Sequence, residues 1–220
     1  MTVDLRLYAI ADPEHTAGRD LADLAGRMAA GGATLVQLRD KKGTTREMIA
    51  RAHALMHALA SSHVPLLIND RVDVALAAEA DGVHIGQDDM PAADARLLLG
   101  RKAIIGLSVK TLEQARNAPL DHLDYVAIGG VYTTISKDNT STPIGLDGLR
   151  AIAQEIRARA PGFPVCAIAG ITEANAGAII EAGADGVSVI SALSLANDPA
   201  AAAQRLRATV DNALARRGRA

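Results

Sequence analysis

Short apolar runs alternate with longer segments of helical periodicity along the whole chain. The runs are too short for helices and end at Gly, Pro or polar residues, which is typical of buried strands. The predicted strands are residues 5–10, 34–39, 66–69, 82–86, 103–108, 125–131, 165–168 and 186–190. The predicted helices are residues 20–30, 45–61, 72–78, 91–99, 111–117, 146–159, 173–182 and 199–215. Thr44 or Thr45 is expected to cap the second helix ahead of Glu47.

This alternation predicts an α/β fold with a parallel sheet and outer helices. Eight strand–helix units favour closure into a single (β/α)8 TIM barrel over residues 1–220, with the active site at the C-terminal ends of the strands. An open, doubly wound sheet is the alternative. However, residues 11–15, after the first strand, lack the glycine-rich dinucleotide motif that such a sheet often carries. The closed barrel is therefore the prediction.

Composition narrows the function classes. The chain has 220 residues, of which 49% are hydrophobic, enough for a large core. A net charge of -2 and 2% aromatic residues argue against nucleic acid as a partner. The first residues do not resemble a signal peptide, and no apolar run approaches the ~20 residues that span a bilayer. We therefore expect a cytoplasmic protein with no membrane partner, while a homo-oligomer is left open.

Two smaller features have simple interpretations. Cys166, the only cysteine, lies in an apolar run, which predicts a buried side chain rather than a nucleophile. The arginine-rich residues 216–219 are expected to form a solvated, frayed tail.

Carboxylates and an amide follow the third and fourth predicted strands. Neighbouring strands lie about 5 Å apart, so Asp70 and Asp89 are expected to reach one cation, with Asn69 beside the ligand. Mg²⁺ prefers such hard oxygen ligands, completed by phosphate and water. Taken singly, each aspartate has the alternative of capping the next helix, as does Asp88. His84 lies in mid-strand, which favours a core or supporting role over metal ligation.

Basic and polar side chains follow the second strand. By strand alternation, Gln37, Arg39 and Lys41 share one side, and this set suits a diphosphate. A surface ion-pair cluster with Asp40 is the alternative. Ser108 adds a hydroxyl group at the end of the fifth strand. Together with the carboxylates, these residues favour a site for a metal-bound diphosphate.

The last three strands predict a second phosphate site. In barrels, the loops after strands seven and eight often bind phosphate through backbone N–H groups. The long loop after strand six carries hydroxyls and a lysine that can donate to an anion, although a flexible polar loop is the alternative. Two phosphate sites at one barrel mouth suggest that an activated diphosphate is joined to a phosphorylated acceptor.

Seven segments, taken in order, resemble the thiamine-phosphate synthase family. They are residues 37–41, 69–71, 84–89, 106–108, 134–137, 167–171 and 190–191. The resemblance implies an enzyme of thiamine biosynthesis, a Mg²⁺-dependent transferase acting on small phosphorylated substrates. It would join 4-amino-2-methyl-5-hydroxymethylpyrimidine diphosphate to 4-methyl-5-(2-phosphoethyl)thiazole, or its 2-carboxylate. The products would be thiamine phosphate and diphosphate.

The resemblance also implies residue roles. The pyrimidine diphosphate would be bound by Gln37, Arg39, Lys41, Asn69, Ser108 and Lys137. Of these, Arg39, Lys41, Ser108 and Lys137 would be catalytic, through stabilisation of a dissociative displacement. Mg²⁺ would be bound by Asp70 and Asp89. The thiazole phosphate would be bound by Thr134, Ser136, Gly170, Ile190 and Ser191.

Several positions depart from the family pattern. Gly130 and Thr133 stand where proline is usual, and Ser136 replaces a threonine but keeps the hydroxyl group. Ala169 replaces the first glycine of a Gly-Gly-Ile motif, which requires either a negative φ or a Cβ that clears the ligand. The alternatives to a synthase are a thiazole tautomerase, which needs no complete metal and diphosphate set, and a non-catalytic barrel that binds phosphate ligands.

Overall fold

The strands form a closed parallel barrel. The computed structural model describes residues 3–134 and 142–218. Its strands are β1 (Leu7–Ala11), β2 (Leu35–Leu38), β3 (Leu66–Asn69), β4 (Gly82–Ile85), β5 (Ile104–Val109), β6 (Tyr125–Ile128), β7 (Val165–Ile168) and β8 (Gly186–Val189). They follow one another in sequence order around the barrel, and β8 pairs in parallel with β1. The predicted barrel is confirmed, and the open-sheet alternative is wrong.

Helices surround the barrel. They are α1 (Leu21–Ala30), α2 (Thr45–Leu59), α3 (Val72–Ala78), α4 (Ala92–Leu99), α5 (Leu112–Asn117), α6 (Gly145–Arg159), α7 (Glu173–Glu181), α8 (Ser191–Ser194) and α9 (Pro199–Arg217). The boundaries of the predicted elements differ by at most three residues from these. Helix α8 and two one-turn 3₁₀ helices, Pro13–His15 and Leu120–His122, were not predicted. Among the described residues, no helix is long and apolar enough to cross a membrane.

The expectation of a solvated, frayed arginine tail is wrong for Arg217. Arg217 lies in the last turn of α9 and donates hydrogen bonds to the carbonyl oxygens of Ile180 (3.0 Å) and Ala184 (2.6 Å). It also bonds the carboxylate of Asp185 at 2.7 Å. These acceptors come from α7 and the turn before β8, which the sequence pattern alone did not place beside the C-terminal arginines. Arg219 lies outside the described residues.

Strand alternation produces two separate cores. One lies between the strands and the helices, and the other fills the barrel interior. The interior cluster consists of Leu5, Tyr8, Leu35, Leu67, Tyr125, Ala127 and Cys166. A Cβ on Gly106 would lie 2.0 Å from the Tyr125 ring, so only glycine leaves room for that ring. The predicted burial of Cys166 is confirmed.

Candidate active site

Arg39 is held at the barrel mouth by a buried carboxylate. The Arg39 guanidinium bonds Asp12, which directly follows β1 and whose side chain is 1% exposed. Asp12 also accepts the backbone N–H of Glu14 at 2.9 Å, which fixes its carboxylate. Asp40 pairs instead with Arg51. The alternative of an ion-pair cluster of Arg39 and Lys41 with Asp40 is therefore wrong, because Arg39 pairs with Asp12 and Lys41 with Asp70.

Lys41, Asp70 and Asp89 form a second charged group at the same end of the barrel. The Lys41 ammonium bonds Asp70, and the Asp89 carboxylate accepts the N–H of Gly86 at 2.7 Å. Burial raises the pKa of Asp70, and the nearby Asp89 carboxylate adds to this effect, while Lys41 opposes it. Two close carboxylates that repel each other are suited to share a cation.

Neither aspartate caps a helix. Helix α3 begins after Arg71 and α4 after Pro91, both without a side-chain capping bond. Asp70 instead has a left-handed backbone with φ of 62°, a conformation that aspartate tolerates better than most residues. Its N–H donates to the His84 carbonyl at 2.8 Å. The capping alternative is therefore wrong for Asp70 and Asp89.

These two carboxylates fit Mg²⁺ rather than a metal held by protein alone. No group of three or more His, Cys, Asp or Glu side chains suited to a metal occurs within residues 3–134 and 142–218. Mg²⁺ usually keeps one or two carboxylates and takes its other ligands from phosphate and water. A substrate diphosphate would supply those remaining oxygens.

Asn69 has an unsatisfied donor beside this group. It is the last residue of β3, lies next to His84 of β4 in the sheet, and is buried. Its Nδ2 has no hydrogen-bond partner among the described residues. Because a buried unpaired donor is costly, this amide is suited to a ligand acceptor.

A chain of hydrogen bonds crosses the barrel interior below the mouth. The Gln37 amide bonds the Tyr8 hydroxyl, and the hydroxyl oxygens of Tyr8 and Tyr125 are 3.0 Å apart. The Tyr125 oxygen lies 2.8 Å from His84 Nδ1, and His84 Nε2 lies 2.9 Å from Ser108 Oγ. His84 therefore has the supporting position expected for it, and it connects two residues of the predicted pyrimidine site.

A cavity of about 400 Å³ opens between the ends of β5, β6, β7 and β8. Its lining includes Ser108 together with four residues predicted for the thiazole phosphate: Thr134, Gly170, Ile190 and Ser191. The predicted residues Ser136 and Lys137 lie outside the described residues. Gly170 has φ of 65°, and a Cβ there would lie 2.4 Å from the Thr133 carbonyl oxygen.

Ala169 lines this cavity with φ of 92°. A negative φ, one of the two conditions expected for an alanine here, is therefore not met. Tolerance of the alanine depends on the remaining condition, a Cβ that clears the ligand.

Sequence reasoning missed five residues of the site. They are Tyr8, Asp12, Lys110, Tyr125 and Ser188. Asp12 and Lys110 follow strand ends. The rule that active-site residues lie at the C-terminal ends of the strands, which indicated Arg39 and Asp70, therefore applied to them as well. The Ser188 hydroxyl lines the cavity, is buried, and has no hydrogen-bond partner among the described residues. In the sequence, the one feature that could have indicated Ser188 is its position as a polar residue within the predicted apolar strand 186–190.

Comparison with known proteins shows the family of the chain. The family model described as thiamine monophosphate synthase matches residues 7–193. The chain belongs to the thiamine monophosphate synthase family. A family member from Agrobacterium fabrum, named thiamine-phosphate synthase, is 49% identical over 212 residues, 96% of both chains. Another with that name, from Chloroflexus aurantiacus, is 47% identical over 208 residues, 94% of both chains.

Solved structures show the same relationship. Thiamine phosphate pyrophosphorylase from Pyrococcus furiosus matches with a TM-score of 0.84 and 36% identity, over 96% of this chain and 98% of that one. A 3-hexulose-6-phosphate synthase has a TM-score of 0.61 at 19% identity, which shows a shared fold alone. The predicted family and enzyme class, a thiamine-phosphate synthase, are confirmed by these comparisons.

Proposed function

We propose that the chain joins 4-amino-2-methyl-5-hydroxymethylpyrimidine diphosphate to 4-methyl-5-(2-phosphoethyl)thiazole, or its 2-carboxylate, in a Mg²⁺-dependent reaction. The products are thiamine phosphate and diphosphate. One observation carries the proposal: the group formed by Lys41, Asp70 and Asp89 lies at the same barrel end as the cavity that contains Gly170 and Ser191. The substrates are small phosphorylated molecules of the cytoplasm.

The pyrimidine diphosphate occupies the side of the mouth formed by β2 to β5. Asp70 and Asp89 would hold Mg²⁺, which would supply positive charge to the diphosphate when bound. Arg39 and Lys41 donate to the diphosphate oxygens, and the buried Asp12 keeps Arg39 oriented. Asn69 offers its unpaired amide to the substrate. Lys137, which lies outside the described residues, is proposed as a further cation.

The reaction is proposed as a dissociative displacement. The 4-amino group of the pyrimidine donates electron density as the bond between the methylene carbon and the diphosphate oxygen breaks. Negative charge then develops on the leaving oxygens, where Arg39 and Lys41 stabilise it electrostatically. The thiazole nitrogen forms the new bond to the methylene carbon. No protein nucleophile is needed, which agrees with the burial of Cys166, where the raised pKa keeps the thiol protonated.

The thiazole phosphate occupies the cavity between β5 and β8. Thr134 and Ser191 offer hydroxyl groups, while Gly170 and Ile190 bring the backbone close to the ligand. Ser136, in the undescribed part of the loop, is proposed as a further hydroxyl donor. The complete carboxylate and cation set favours a synthase over a thiazole tautomerase, which would leave Asp70 and Asp89 without a role.

The decisive experiment is a turnover assay with both substrates, in Mg²⁺ or in EDTA, with thiamine phosphate detected after oxidation to a fluorescent thiochrome. We expect product only with Mg²⁺. No product under either condition, from folded protein, would contradict the proposal and favour a binding barrel.

Asp89→Ala should lower turnover by several powers of ten, because it removes one of two proposed Mg²⁺ ligands. Asp88→Ala is the matched control, since Asp88 is the adjacent, exposed carboxylate. A loss below about tenfold for Asp89→Ala, roughly 1.4 kcal/mol of barrier, would show that its metal role is wrong.

A further inference from the structure

Lys110 is the only charged side chain among the described residues that line the cavity between β5 and β8. The other lining residues are glycine, alanine, valine, isoleucine, serine and threonine. The residues already proposed for the thiazole phosphate therefore offer only hydroxyl and backbone N–H groups. A phosphate monoester carries a charge of about −1.5 to −2 at pH 7. Hydrogen bonds from a cation to such a group are roughly twice as strong as neutral ones, so a cation in this cavity is significant.

The Lys110 side chain points into the part of the cavity proposed for the thiazole phosphate. Lys110 directly follows β5, and Gly129 directly follows the neighbouring strand β6. A Cβ built on Gly129 would lie 3.5 Å from Lys110 Cγ, 3.6 Å from Lys110 Cε and 3.8 Å from Ile168 Cγ2, at the end of β7. The lysine stem therefore covers the end of β6. Since β4 and β6 flank β5 on opposite sides, this direction leads away from Asp89 and towards the loops after β7 and β8.

The Lys110 ammonium forms no hydrogen bond or ion pair within the described part of the chain, where the only bond made by an N–H of this residue comes from its backbone. Arg39 and Lys41, in contrast, are already paired with carboxylates. A cation without a carboxylate partner keeps its full attraction for an anion, because no ion pair has to be broken first. Lys110 is therefore suited to bind an anionic ligand group in this cavity.

From these observations we propose that Lys110 binds the phosphate group of the thiazole substrate and makes the cavity select this phosphate over the corresponding alcohol. The inference rests on the proposed function for the identity of the ligand, 4-methyl-5-(2-phosphoethyl)thiazole. The ammonium donates a charge-assisted hydrogen bond to a phosphate oxygen, whereas an uncharged hydroxyl group offers a weaker acceptor. Lys110 is a residue of binding and specificity, and it takes no part in making or breaking bonds.

The test is calorimetric binding of two ligands to the wild type and to Lys110→Gln, without the pyrimidine substrate. The ligands are the thiazole phosphate and its alcohol, 4-methyl-5-(2-hydroxyethyl)thiazole. We expect Lys110→Gln to bind the phosphate about tenfold more weakly or worse, and the alcohol with unchanged affinity. A substitution that only disturbed the shape of the cavity would weaken both ligands alike. Equal losses for both ligands, or no loss for the phosphate, would overturn the inference.

Two matched variants separate the local charge from other effects. Lys110→Arg keeps the positive charge and should retain most of the phosphate affinity. Lys102→Gln removes the same charge from an exposed lysine that precedes β5, at the opposite end of that strand, and should change neither affinity. Phosphate affinity as low in Lys110→Arg as in Lys110→Gln would overturn the role of the charge. Equal losses in Lys102→Gln and Lys110→Gln would do the same, because they would assign the effect to the net charge of the protein.

Steady-state kinetics identifies the substrate that Lys110 binds. Lys110→Gln should raise KM for the thiazole phosphate about tenfold or more and leave KM for the pyrimidine diphosphate unchanged. An increase confined to the pyrimidine diphosphate would overturn the inference, since Lys110 would then bind the leaving group.

The same measurements separate this inference from the proposed function. A protein that binds the thiazole phosphate through Lys110 but makes no thiamine phosphate would contradict the proposed function alone. A protein that makes thiamine phosphate, with equal use of the thiazole phosphate by wild type and Lys110→Gln, would contradict this inference alone. Folded wild type that neither binds the thiazole phosphate nor converts it would contradict both.

Discussion

Ala169 is a strained residue at the edge of the cavity. Its φ of 92° lies in the region that favours glycine, and such conformations cost on the order of 1–3 kcal/mol for other residues. Its carbonyl oxygen accepts the N–H of Tyr132 at 3.2 Å, which connects the ends of β7 and β6. The alanine therefore holds a backbone shape that its own side chain opposes.

Ala169→Gly should raise the free energy of unfolding by about 1 kcal/mol. Relief of the strain should exceed the added entropy of the unfolded chain, which costs about 0.4–1 kcal/mol for a glycine. Urea unfolding measures the change. Ala167→Gly is the control, because Ala167 lies in β7 without a positive φ, and it should destabilise the protein. Equal losses in both variants would show that Ala169 is not strained.

Whether a single site residue could be predicted from the sequence depended on its position along the strand. Arg39, Asn69, Asp70 and Asp89 follow or end apolar runs, so their shared location could be inferred from a parallel barrel. Tyr8 and Tyr125 lie within β1 and β6, where the sequence does not separate an interior side chain from a helix-facing one. Their contact also crosses the barrel and joins residues far apart in sequence, which no local pattern shows.

Helix α2 shows how an element is anchored beside the site. Thr44 accepts the N–H of Glu47 at 3.3 Å, and Glu47 accepts the N–H of Thr44 at 2.7 Å. This reciprocal pair settles the choice between Thr44 and Thr45 in favour of Thr44. The cap follows the loop that carries Lys41, so it fixes where that loop ends.

Thr44→Ala should lower the free energy of unfolding by about 1 kcal/mol, because one end of the helix loses its side-chain acceptor. Thr45→Ala should change it by less than about 0.5 kcal/mol, since among the described residues the Thr45 hydroxyl accepts only an exposed bond from Arg71. Thermal or urea unfolding of both variants provides the comparison. Similar losses would assign the capping function to both threonines.

Helices could be predicted from the sequence where they are long enough for apolar residues to recur with the helical period. The helices packed on the barrel have repeated apolar positions, and the strands between them are short runs of mostly apolar residues. Helix α8 has only four residues, Ser191–Ser194, which is about one turn and too few for a helical period. It was therefore included in the loop after the last strand.

For the whole molecule, the number of strand–helix units predicted the architecture. Pairing of β1 with both β2 and β8 closes the sheet, so the ends of its strands form one circular mouth. Pairing of β1 with β2 explains why Asp12 after β1 and Arg39 after β2 meet there. The ion pairs at that mouth could not be predicted from the sequence, because several acidic residues were possible partners for each basic side chain.

The charged mouth should make stability depend on pH. Because the folded-state pKa of Asp70 is raised above its usual value of 3.8, folded protein retains this proton more strongly than unfolded protein. Without Mg²⁺, the contribution of Asp70 to stability should therefore fall as pH rises through the range above 3.8. Asp70→Asn should remove this part of the dependence.

Unfolding free energies of the wild type and Asp70→Asn, measured in EDTA at several pH values, provide the check. Asp88→Asn serves as the control for loss of an exposed carboxylate. A difference between wild type and Asp70→Asn that does not change with pH would contradict the raised pKa.

The charges of the mouth have a consequence for how Mg²⁺ and the diphosphate affect each other's binding. Arg39 and Lys41 bring two positive charges, and both are already bonded to carboxylates. Asp12, Asp70 and Asp89 bring three negative charges, so a diphosphate arriving alone meets no net attraction from this group. Diphosphate and Mg²⁺ would each supply the charge that the other lacks, and such coupling is reciprocal. The two ligands should therefore bind with positive heterotropic cooperativity, each raising the affinity for the other by the same factor.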